Sequence, residues 1–262
     1  MSDEIRHKTA VIDGLAVHYR EAGSGKTILF LHGAGGAPPE GASFVPMLAQ
    51  HHRLLLPSRP GFDATEIGRC ETLGDVVAVM AAFIRVAVGG KVHVVAQSLG
   101  GAVGCWLAIL HPDLVESLVL SAPAAFAPHR MLPPPAEMAR ILYGDTPYWS
   151  APPSEAERQR IARNAQTNMH RLRAPEGNAD LLERLGEIAA PTLLLWATGE
   201  RLLPPEAMLP YQDNIPRCTR ILIYGAAHEL PIAAAPQWVR LVGDFVDRGE
   251  MFVVNMGTAG PN

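Results

Sequence analysis

The chain has 262 residues and a formal net charge of −4, and 48% of its residues are hydrophobic against 18% charged. This composition excludes an intrinsically disordered protein and a coiled coil, and the charge balance does not indicate a nucleic-acid-binding surface. We therefore expect a globular protein that acts on a small-molecule substrate as a monomer or a homodimer, with no nucleic-acid or membrane partner.

The three cysteines indicate a reducing compartment. Cys70, Cys105 and Cys218 are odd in number and far apart, so they form neither a disulfide framework nor a zinc-binding pattern. The N-terminal sequence MSDEIRHK is charged and has no apolar core, which does not fit a secretory signal. We expect a cytoplasmic protein that uses no metal and no cofactor.

Strand and helix patterns alternate along most of the chain, which is typical of an α/β fold with a mostly parallel sheet of about eight strands. The sequence predicts strands, in chain order, over residues 8–12, 15–21, 28–31, 54–56, 92–96, 118–121, 193–197 and 220–224. It predicts helices over residues 43–50, 73–86, 100–111 and 236–248. Asp13-Gly14 predicts a hairpin between the first two strands, and Thr72 predicts a cap on the second helix.

The alternation stops between about residues 123 and 188, where prolines cluster and separate helical stretches such as residues 155–172. We interpret this segment as a helical cap inserted into the sheet domain. The predicted organisation is a core of residues 1–122 and 189–250, a cap of residues 123–188 and a C-terminal tail of residues 251–262.

One glycine-rich motif does not fit a phosphate-binding loop. Residues 23–27 read GSGKT, but the full motif needs a glycine where the chain has Arg20, and it needs a helix directly after the loop. Since Lys26 and Thr27 open a predicted strand, we interpret residues 23–27 as a turn between strands.

The strongest chemical signal is the sequence AQSLGG at residues 96–101, directly after the predicted central strand. A serine on a sharp turn from strand to helix is presented above the sheet, and the turn needs small neighbours such as Gly100 and Gly101. Ser98 is therefore the candidate nucleophile, and the backbone N–H of Leu99 points to where an oxyanion would form. The alternative is that Ser98 only caps a buried helix.

A second glycine-rich turn, HGAGG at residues 32–36, follows the predicted strand at residues 28–31. Such a turn lets a backbone N–H, that of Ala34, approach the same oxyanion. We expect His32 to be structural and hydrogen-bonded within the turn, rather than a catalytic base.

A serine nucleophile needs a base of near-neutral pKa, which an imidazole provides. His228 follows the last predicted strand, and Glu200 is the first acid after the strand at residues 193–197. The order serine, acid, histidine along the chain is that of hydrolase-fold triads. We predict a triad of Ser98, His228 and Glu200, with Asp213 as the next acid to consider.

These motifs together resemble the α/β-hydrolase superfamily over about residues 8–248. The resemblance implies an α/β-hydrolase fold with the triad named above. The chain departs from the usual family pattern at two positions. The motif around the serine is usually G-x-S-x-G, but residues 96–100 of this chain are AQSLG, and the acid of the triad is usually aspartate, but here it is Glu200. One loop commonly has the sequence D-x-P-G-x-G in this family, whereas this chain has SRPGFD at residues 58–63. We expect the last residue of the loop, Asp63, to be solvated or to cap the loop.

The resemblance implies a serine hydrolase that forms an acyl-enzyme, and Ser98 argues against the aspartate-dependent dehalogenases and epoxide hydrolases. We rank cleavage of a small carboxylic ester or lactone first. Carbon–carbon bond hydrolysis of vinylogous diketones, the meta-cleavage products, ranks second because those enzymes usually have Trp after the catalytic histidine, where this chain has Glu229. A non-catalytic hydrolase-fold receptor is a further alternative, and a hydroxynitrile lyase or a cofactor-free oxygenase is a weaker one.

Overall fold

The computed structural model describes residues 5–126, 135–144, 154–156, 158–160, 163–164 and 178–253. Much of the segment interpreted as a cap, including most of the predicted helix at residues 155–172, lies outside the described residues. The tail from residue 254 also lies outside them. The division into core, cap and tail therefore stays a prediction.

The described residues form an eight-stranded, mostly parallel sheet, which confirms the predicted α/β fold. The strands are β1 (Arg6–Ile12), β2 (Leu15–Ala22), β3 (Thr27–Leu31), β4 (Arg53–Pro57), β5 (Val92–Gln97), β6 (Val115–Ser121), β7 (Thr192–Ala197) and β8 (Cys218–Ile223). Their spatial order is β1-β2-β4-β3-β5-β6-β7-β8. The pairs β1–β2 and β2–β4 are antiparallel and the others are parallel, so the loops after β3 and β5 meet at the carboxyl edge of the sheet.

The turn between β1 and β2 is the predicted hairpin. Asp13 and Gly14 both have positive φ, 47° and 83°. Two-residue hairpin turns that match the twist of the flanking strands require this conformation, which the sequence Asp-Gly favours. Ile12 and Leu15 consequently pair directly across the turn.

The four helices predicted outside the segment at residues 123–188 are present, each with ends within one residue of the expected ones. The described helices are α1 (Phe44–Ala49), α2 (Leu73–Ala87), α3 (Gly100–Leu110), α4 (Pro135–Tyr143), α5 (Ala179–Arg184), α6 (Leu209–Asn214), α7 (Leu230–Ala233) and α8 (Ala235–Arg248). Helix α2 begins as predicted, because the Thr72 side chain accepts from the Asp75 N–H and the Asp75 carboxylate accepts from the Thr72 N–H. Within the described ranges, every helix is too short or too polar to cross a lipid bilayer.

Two apolar cores cover the two faces of the sheet. Along β3 the side chains alternate, so Leu29 and Leu31 join the core under α2 and α3, whereas Ile28 and Phe30 join the core under α1 and α8. Trp238 of α8 is fully buried and packs edge-on against the ring of Phe30. Strands buried on both faces are apolar at successive positions, which explains why the central strands are continuous apolar runs in the sequence.

Lys26 has a structural role. Its ammonium group donates to the carbonyl oxygens of Val246 and Asp247, at 3.0 and 2.8 Å, near the C-terminus of α8. A cation is favourable there because the last carbonyl groups of a helix carry partial negative charge. Strand β3 begins at Thr27, so no helix follows the GSGKT sequence, which confirms that it is a turn between strands.

Helix α3 lies close to β5 because small residues face each other. A Cβ placed on Gly104 of α3 would lie 2.9 Å from the Cβ of Ala96 on β5 and 3.2 Å from Cδ1 of Leu118. Ala96 stands where the family pattern usually has glycine, and its methyl group takes up the space that a side chain at position 104 would need. Gly104 therefore accommodates this departure from the family pattern.

Gly104→Ala is expected to lower the free energy of unfolding by about 1–3 kcal/mol, because the added methyl group overpacks against Ala96. Adding Ala96→Gly should restore part of that loss, so chemical denaturation of the single and double variants should show non-additive effects. Gly90→Ala is the matched control, since a Cβ there would have no heavy atom within 4 Å. An equal loss of stability in the control would contradict the packing explanation.

Candidate active site

Ser98 occupies a strained turn between β5 and α3. Its φ is 51°, in the left-handed region that is costly for residues other than glycine. The Ser98 N–H donates to the Ser121 carbonyl at 3.0 Å, and the Ser98 carbonyl accepts from the N–H groups of Gly101 and Ala124 at 2.9 and 3.0 Å. Leu99, not Ser98, is the N-cap residue of α3, so the alternative of a simple serine cap is wrong.

The turn at Ser98 requires the glycines that follow it. A Cβ on Gly100 would lie 2.2 Å from the carbonyl oxygen of Leu31 at the end of β3. A Cβ on Gly101 would lie 2.6 Å from the Cβ of Pro123, which follows β6. Only glycine at these two positions lets the start of α3 pack against the loops that follow β3 and β6.

The three residues of the predicted triad lie together at the carboxyl edge of the sheet. Ser98 Oγ is 3.0 Å from His228 Nε2, and His228 Nδ1 is 2.7 Å from Glu200 Oε2. In this arrangement the Nδ1–H donates to the carboxylate, and Nε2 accepts from the serine hydroxyl. The geometry suits a nucleophile, a base and an acid, and the catalytic roles themselves remain predictions.

Glu200 is one methylene longer than the usual aspartate, and its side chain folds back to reach the imidazole. One carboxylate oxygen binds the ring, and the other, Oε1, accepts from the N–H groups of Leu202 and Leu203 at 2.7 and 3.0 Å. These contacts fix the carboxylate in one orientation. Asp213, the next candidate acid, is exposed on α6 and contacts Gln212, so it lies outside this arrangement.

Burial and charge act in opposite directions on the pKa of His228. Burial alone lowers it, but the hydrogen bond and charge of Glu200, with the charge of Glu229, outweigh burial and raise the pKa above its ordinary value. Burial raises the pKa of Glu200, yet His228 and the N–H groups of Leu203 and Leu202 bring it below its usual value. The carboxylate therefore stays ionised while the histidine can accept a proton.

The two predicted oxyanion groups belong to the residue after Ser98 and to the loop after β3. The N–H of Leu99 is at the start of α3 and that of Ala34 is in the loop after β3, and within the described ranges neither donates a hydrogen bond. A Cβ on Gly33 would lie 3.1 Å from the Cβ of Ser98, so this loop passes directly beside the nucleophile. Neither N–H group is therefore occupied by an acceptor within the described ranges, which the prediction of an oxyanion hole requires.

A buried arginine holds the loop after β3. Arg59 is fully buried, and its Nη2 donates to the carbonyl oxygens of His32 and Gly33 at 2.7 and 3.1 Å. His32 Nδ1 donates to the Gly33 carbonyl at 2.8 Å and Nε2 accepts from the Arg59 N–H, while burial and the Arg59 charge hold its pKa well below 6.5. His32 is thus neutral and hydrogen-bonded within the turn, as expected. Sequence analysis missed the contribution of Arg59.

Asp63 links the same loop to Asn164 and Arg160, which lie between β6 and β7 in the chain. Its carboxylate accepts from the Ala37 N–H at 2.8 Å, from Ser58 Oγ at 3.2 Å and from Asn164 Nδ2 at 2.6 Å. It also forms an ion pair with Arg160. Asp63 therefore caps the loop, one of the two roles expected for it, but it is largely buried rather than solvated.

Sequence analysis also missed the position of the Glu229 side chain. The carboxyl group forms no hydrogen bond with the His228 ring, and Glu229 borders a cavity of about 50 Å³ that none of the three triad residues lines. The sequence did indicate that position 229 is unusual, because carbon–carbon hydrolases usually have Trp there. A larger cleft of about 1080 Å³ lies beside β1 and β2, and none of the three triad residues lines it.

Glu200→Gln is expected to preserve the fold but to lower kcat about 10²–10⁴-fold, because an amide cannot stabilise the imidazolium. Only neutral His228 can take the Ser98 proton, so kcat/KM should fall as the pH drops through the raised pKa of His228. Removing the Glu200 charge lowers that pKa, so the inflection should move to lower pH. A pH profile with an activated aryl ester measures both effects, and a wild-type rate and profile would refute the role of Glu200.

Comparisons with known proteins agree with the observed fold. The family model described as alpha/beta hydrolase fold matches residues 26–182. The 2-hydroxy-6-oxo-6-phenylhexa-2,4-dienoate hydrolase of Burkholderia cepacia is 26% identical over 270 aligned positions, which cover 91% of this chain and 93% of the relative. The enzyme of the same name from Comamonas testosteroni is 28% identical over 262 positions, which cover 88% of this chain and 91% of the relative.

Solved structures share the fold. A serine hydrolase involved in carbazole degradation, CarC, superposes with a TM-score of 0.75 at 22% identity, over 93% of this chain and 99% of that one. The meta-cleavage product hydrolase CumD from Pseudomonas fluorescens superposes with a TM-score of 0.72 at 17% identity, over 92% and 97% of the two chains. With the family model matching more than half of its residues, this protein belongs to the α/β-hydrolase fold family, and it is a hydrolase.

Proposed function

We propose that this hydrolase cleaves a carbon–carbon bond in a 2-hydroxy-6-oxo-dienoate, a vinylogous diketone of the meta-cleavage type. The observation that carries the proposal is that relatives named for this class of substrate match the chain along nearly its whole length. A third such relative, the 2-hydroxy-6-oxononadienedioate/2-hydroxy-6-oxononatrienedioate hydrolase 1 of Dechloromonas aromatica, covers 92% of the chain at 26% identity. The names of these relatives differ in the group attached at the 6-oxo carbon, so the proposal concerns the substrate class.

The proposed reaction begins with attack by Ser98. His228 Nε2 takes the hydroxyl proton as Ser98 Oγ forms a bond with the ketone carbon, and the carbonyl electron pair moves onto its oxygen. The N–H groups of Leu99 and Ala34 stabilise that oxyanion, and Glu200 stabilises the imidazolium. The hydrogen bonds between serine, histidine and glutamate support this sequence of proton transfers.

Collapse of the oxyanion breaks the carbon–carbon bond next to the ketone carbon. In the diketone form of the substrate, the departing electron pair is delocalised through the double bond onto the distant carbonyl oxygen, and this delocalisation allows carbon to leave. The proton held by His228 passes to the leaving fragment. The acyl group remains on Ser98 until water hydrolyses it.

Ester or lactone hydrolysis, which the sequence analysis ranks first, is the competing function. It would use the same triad, and one observation favours it, namely Glu229 at the position where carbon–carbon hydrolases usually have Trp. The relatives named above favour the carbon–carbon hydrolase, because their names share one substrate class and each match covers about nine tenths of both chains.

The purified enzyme is expected to consume 2-hydroxy-6-oxo-6-phenylhexa-2,4-dienoate, the substrate named for two of its relatives, and to release benzoate. Ser98→Ala should lower kcat by about 10³-fold or more and leave thermal unfolding unchanged, because it removes only the nucleophile. Loss of the dienoate absorbance and chromatography of the products measure the reaction.

A panel of simple esters and lactones under the same conditions is the control. Turnover of esters or lactones without cleavage of the dienoate would refute the proposal in favour of the competing function. Stoichiometric labelling of Ser98 by a fluorophosphonate, without turnover of any substrate, would instead favour a receptor. Full dienoate cleavage by Ser98→Ala would refute the assignment of the nucleophile.

A further inference from the structure

Arg59 is a buried cation that no carboxylate neutralises within the described ranges. The residue is 0% exposed, and it forms no ion pair with a described acidic residue. Burial lowers the pKa of Arg59 to about 9, so the guanidinium keeps its charge at neutral pH. Taking a charge out of water is costly, so the groups that compensate for this cost show where the charge acts.

The guanidinium contacts two successive carbonyl groups in the loop after β3. Its Nη2 donates to the carbonyl oxygens of His32 and Gly33, at 2.7 and 3.1 Å. Its Cζ lies 4.6 Å from the centre of the Phe62 ring, which packs edge-on against the His32 ring. Nε and Nη1 have no hydrogen-bond partner among the described residues. In this part of the chain the charge therefore acts on the loop backbone and on one aromatic face.

The Gly33 carbonyl belongs to the same peptide unit as the Ala34 N–H. In a trans peptide unit the C=O and N–H bonds point in opposite directions, and the described residues contain no cis peptide bond. Arg59 Nη2 and His32 Nδ1 both donate to the Gly33 carbonyl, so together they fix the direction of the Ala34 N–H. That direction is away from the guanidinium.

Gly33 lies between Arg59 and the nucleophile. Its carbonyl oxygen contacts Arg59, whereas a Cβ on its Cα would lie 3.1 Å from the Cβ of Ser98. That distance is shorter than ordinary van der Waals contact, so a side chain at position 33 would crowd the serine. Glycine, however, restrains the adjoining peptide unit less than any other residue does. The hydrogen bonds from Arg59 and His32 supply the restraint that the glycine backbone lacks.

The charge of Arg59 also makes the peptide unit a stronger donor. A hydrogen bond from a cation to a carbonyl oxygen is stronger than one from a neutral group, and hydrogen-bonded groups in series polarise one another. Since the Gly33 carbonyl accepts from a guanidinium, the Ala34 N–H carries more positive charge than it otherwise would. Such an N–H stabilises an oxyanion more strongly.

We propose that Arg59 is a positioning residue of the oxyanion hole, whose guanidinium holds and polarises the peptide unit between Gly33 and Ala34. Arg59 acts through the Ala34 N–H and does not itself touch the substrate. The inference rests on attack by Ser98 in the proposed function, but it holds whichever bond is broken, because attack on any carbonyl carbon produces an oxyanion. Arg59 therefore stabilises the transition state and leaves binding of an intact ketone unchanged.

The test compares inhibition by two ketones, measured with p-nitrophenyl acetate as substrate. With benzyl trifluoromethyl ketone, Ser98 Oγ bonds to the carbonyl carbon, His228 takes the hydroxyl proton, and the carbonyl electron pair moves onto the oxygen. Benzyl methyl ketone is the reference, because it binds without this addition. In Arg59→Met the inhibition constant of the trifluoromethyl ketone should rise about ten- to a hundredfold, somewhat less than on loss of an oxyanion donor itself. That of the methyl ketone should stay within about twofold.

The same variant should lower kcat/KM for p-nitrophenyl acetate by a similar factor. Met is an apolar side chain of similar length, and replacement of a buried charge by such a side chain is often tolerated. Titration with a fluorophosphonate gives the fraction of active enzyme, so misfolded protein is counted separately. The pH at which kcat/KM falls should stay at the wild-type value, because Glu200 and Glu229 set the pKa of His228.

Arg59→Lys is the conservative variant. It keeps the charge and one donor group, so both its kcat/KM and its affinity for the trifluoromethyl ketone should lie between those of Arg59→Met and wild type. If Arg59→Met does not fold, Arg59→Lys carries the test, since it should show the same selective loss at a smaller size.

Arg53→Met is the matched control. Arg53 on β4 also donates to a backbone carbonyl, that of Ala87 at 3.2 Å, and it pairs with Glu21. Its replacement should lower stability but leave the ratio of the two inhibition constants at the wild-type value.

Equal weakening of both ketones in Arg59→Met, or no weakening of either, would overturn the proposal. If the trifluoromethyl ketone does not inhibit the wild-type enzyme, attack by Ser98 is wrong and the role of Arg59 is wrong with it. Failure of dienoate cleavage together with the selective loss in Arg59→Met would refute only the proposed substrate class.

Discussion

The left-handed backbone of Ser98 is the constraint on which the rest of the site depends. A residue other than glycine in this region costs on the order of 1–3 kcal/mol, and here the neighbouring strand and helix offset that cost. Three backbone hydrogen bonds hold Ser98, and Gly100 lets α3 approach the end of β3 closely enough to keep the turn closed. The same approach brings the loop after β3 beside the serine, so one local strain sets the position of both the nucleophile and the oxyanion groups.

The fold and the triad could be predicted because their signals are local. Buried strands are apolar runs, Thr72 precedes a helix with an acid three residues on, and Ser98 lies among small residues after the central strand. The contacts of Arg59 and Gln97 could not be predicted, since their partners are backbone carbonyl groups of residues distant in the sequence. Any residue has such a carbonyl, and only the tertiary structure determines which one is reached.

The charges of two carboxyl groups act on one histidine. Glu200 faces Nδ1 and is held by two backbone N–H groups, whereas Glu229 lacks such contacts in the described ranges and borders the cavity. Their pKa values shift in opposite directions, Glu200 downward and Glu229 upward, although both are acids of the same type. The difference comes from the number of donors that reach each carboxyl group, since Glu200 has three donors and the carboxyl group of Glu229 has none among the described residues.

Asp63 has a consequence for how the loop after β3 keeps its conformation. Its carboxylate binds the Ala37 N–H of that loop and also Asn164 and Arg160, which lie between β6 and β7 in the chain, and Asn164 donates in turn to the Gly35 carbonyl. The loop that carries Ala34 is therefore held in part by residues that lie 97 and 101 positions beyond Asp63 in the sequence. Its conformation is thermodynamically coupled to the placement of those residues.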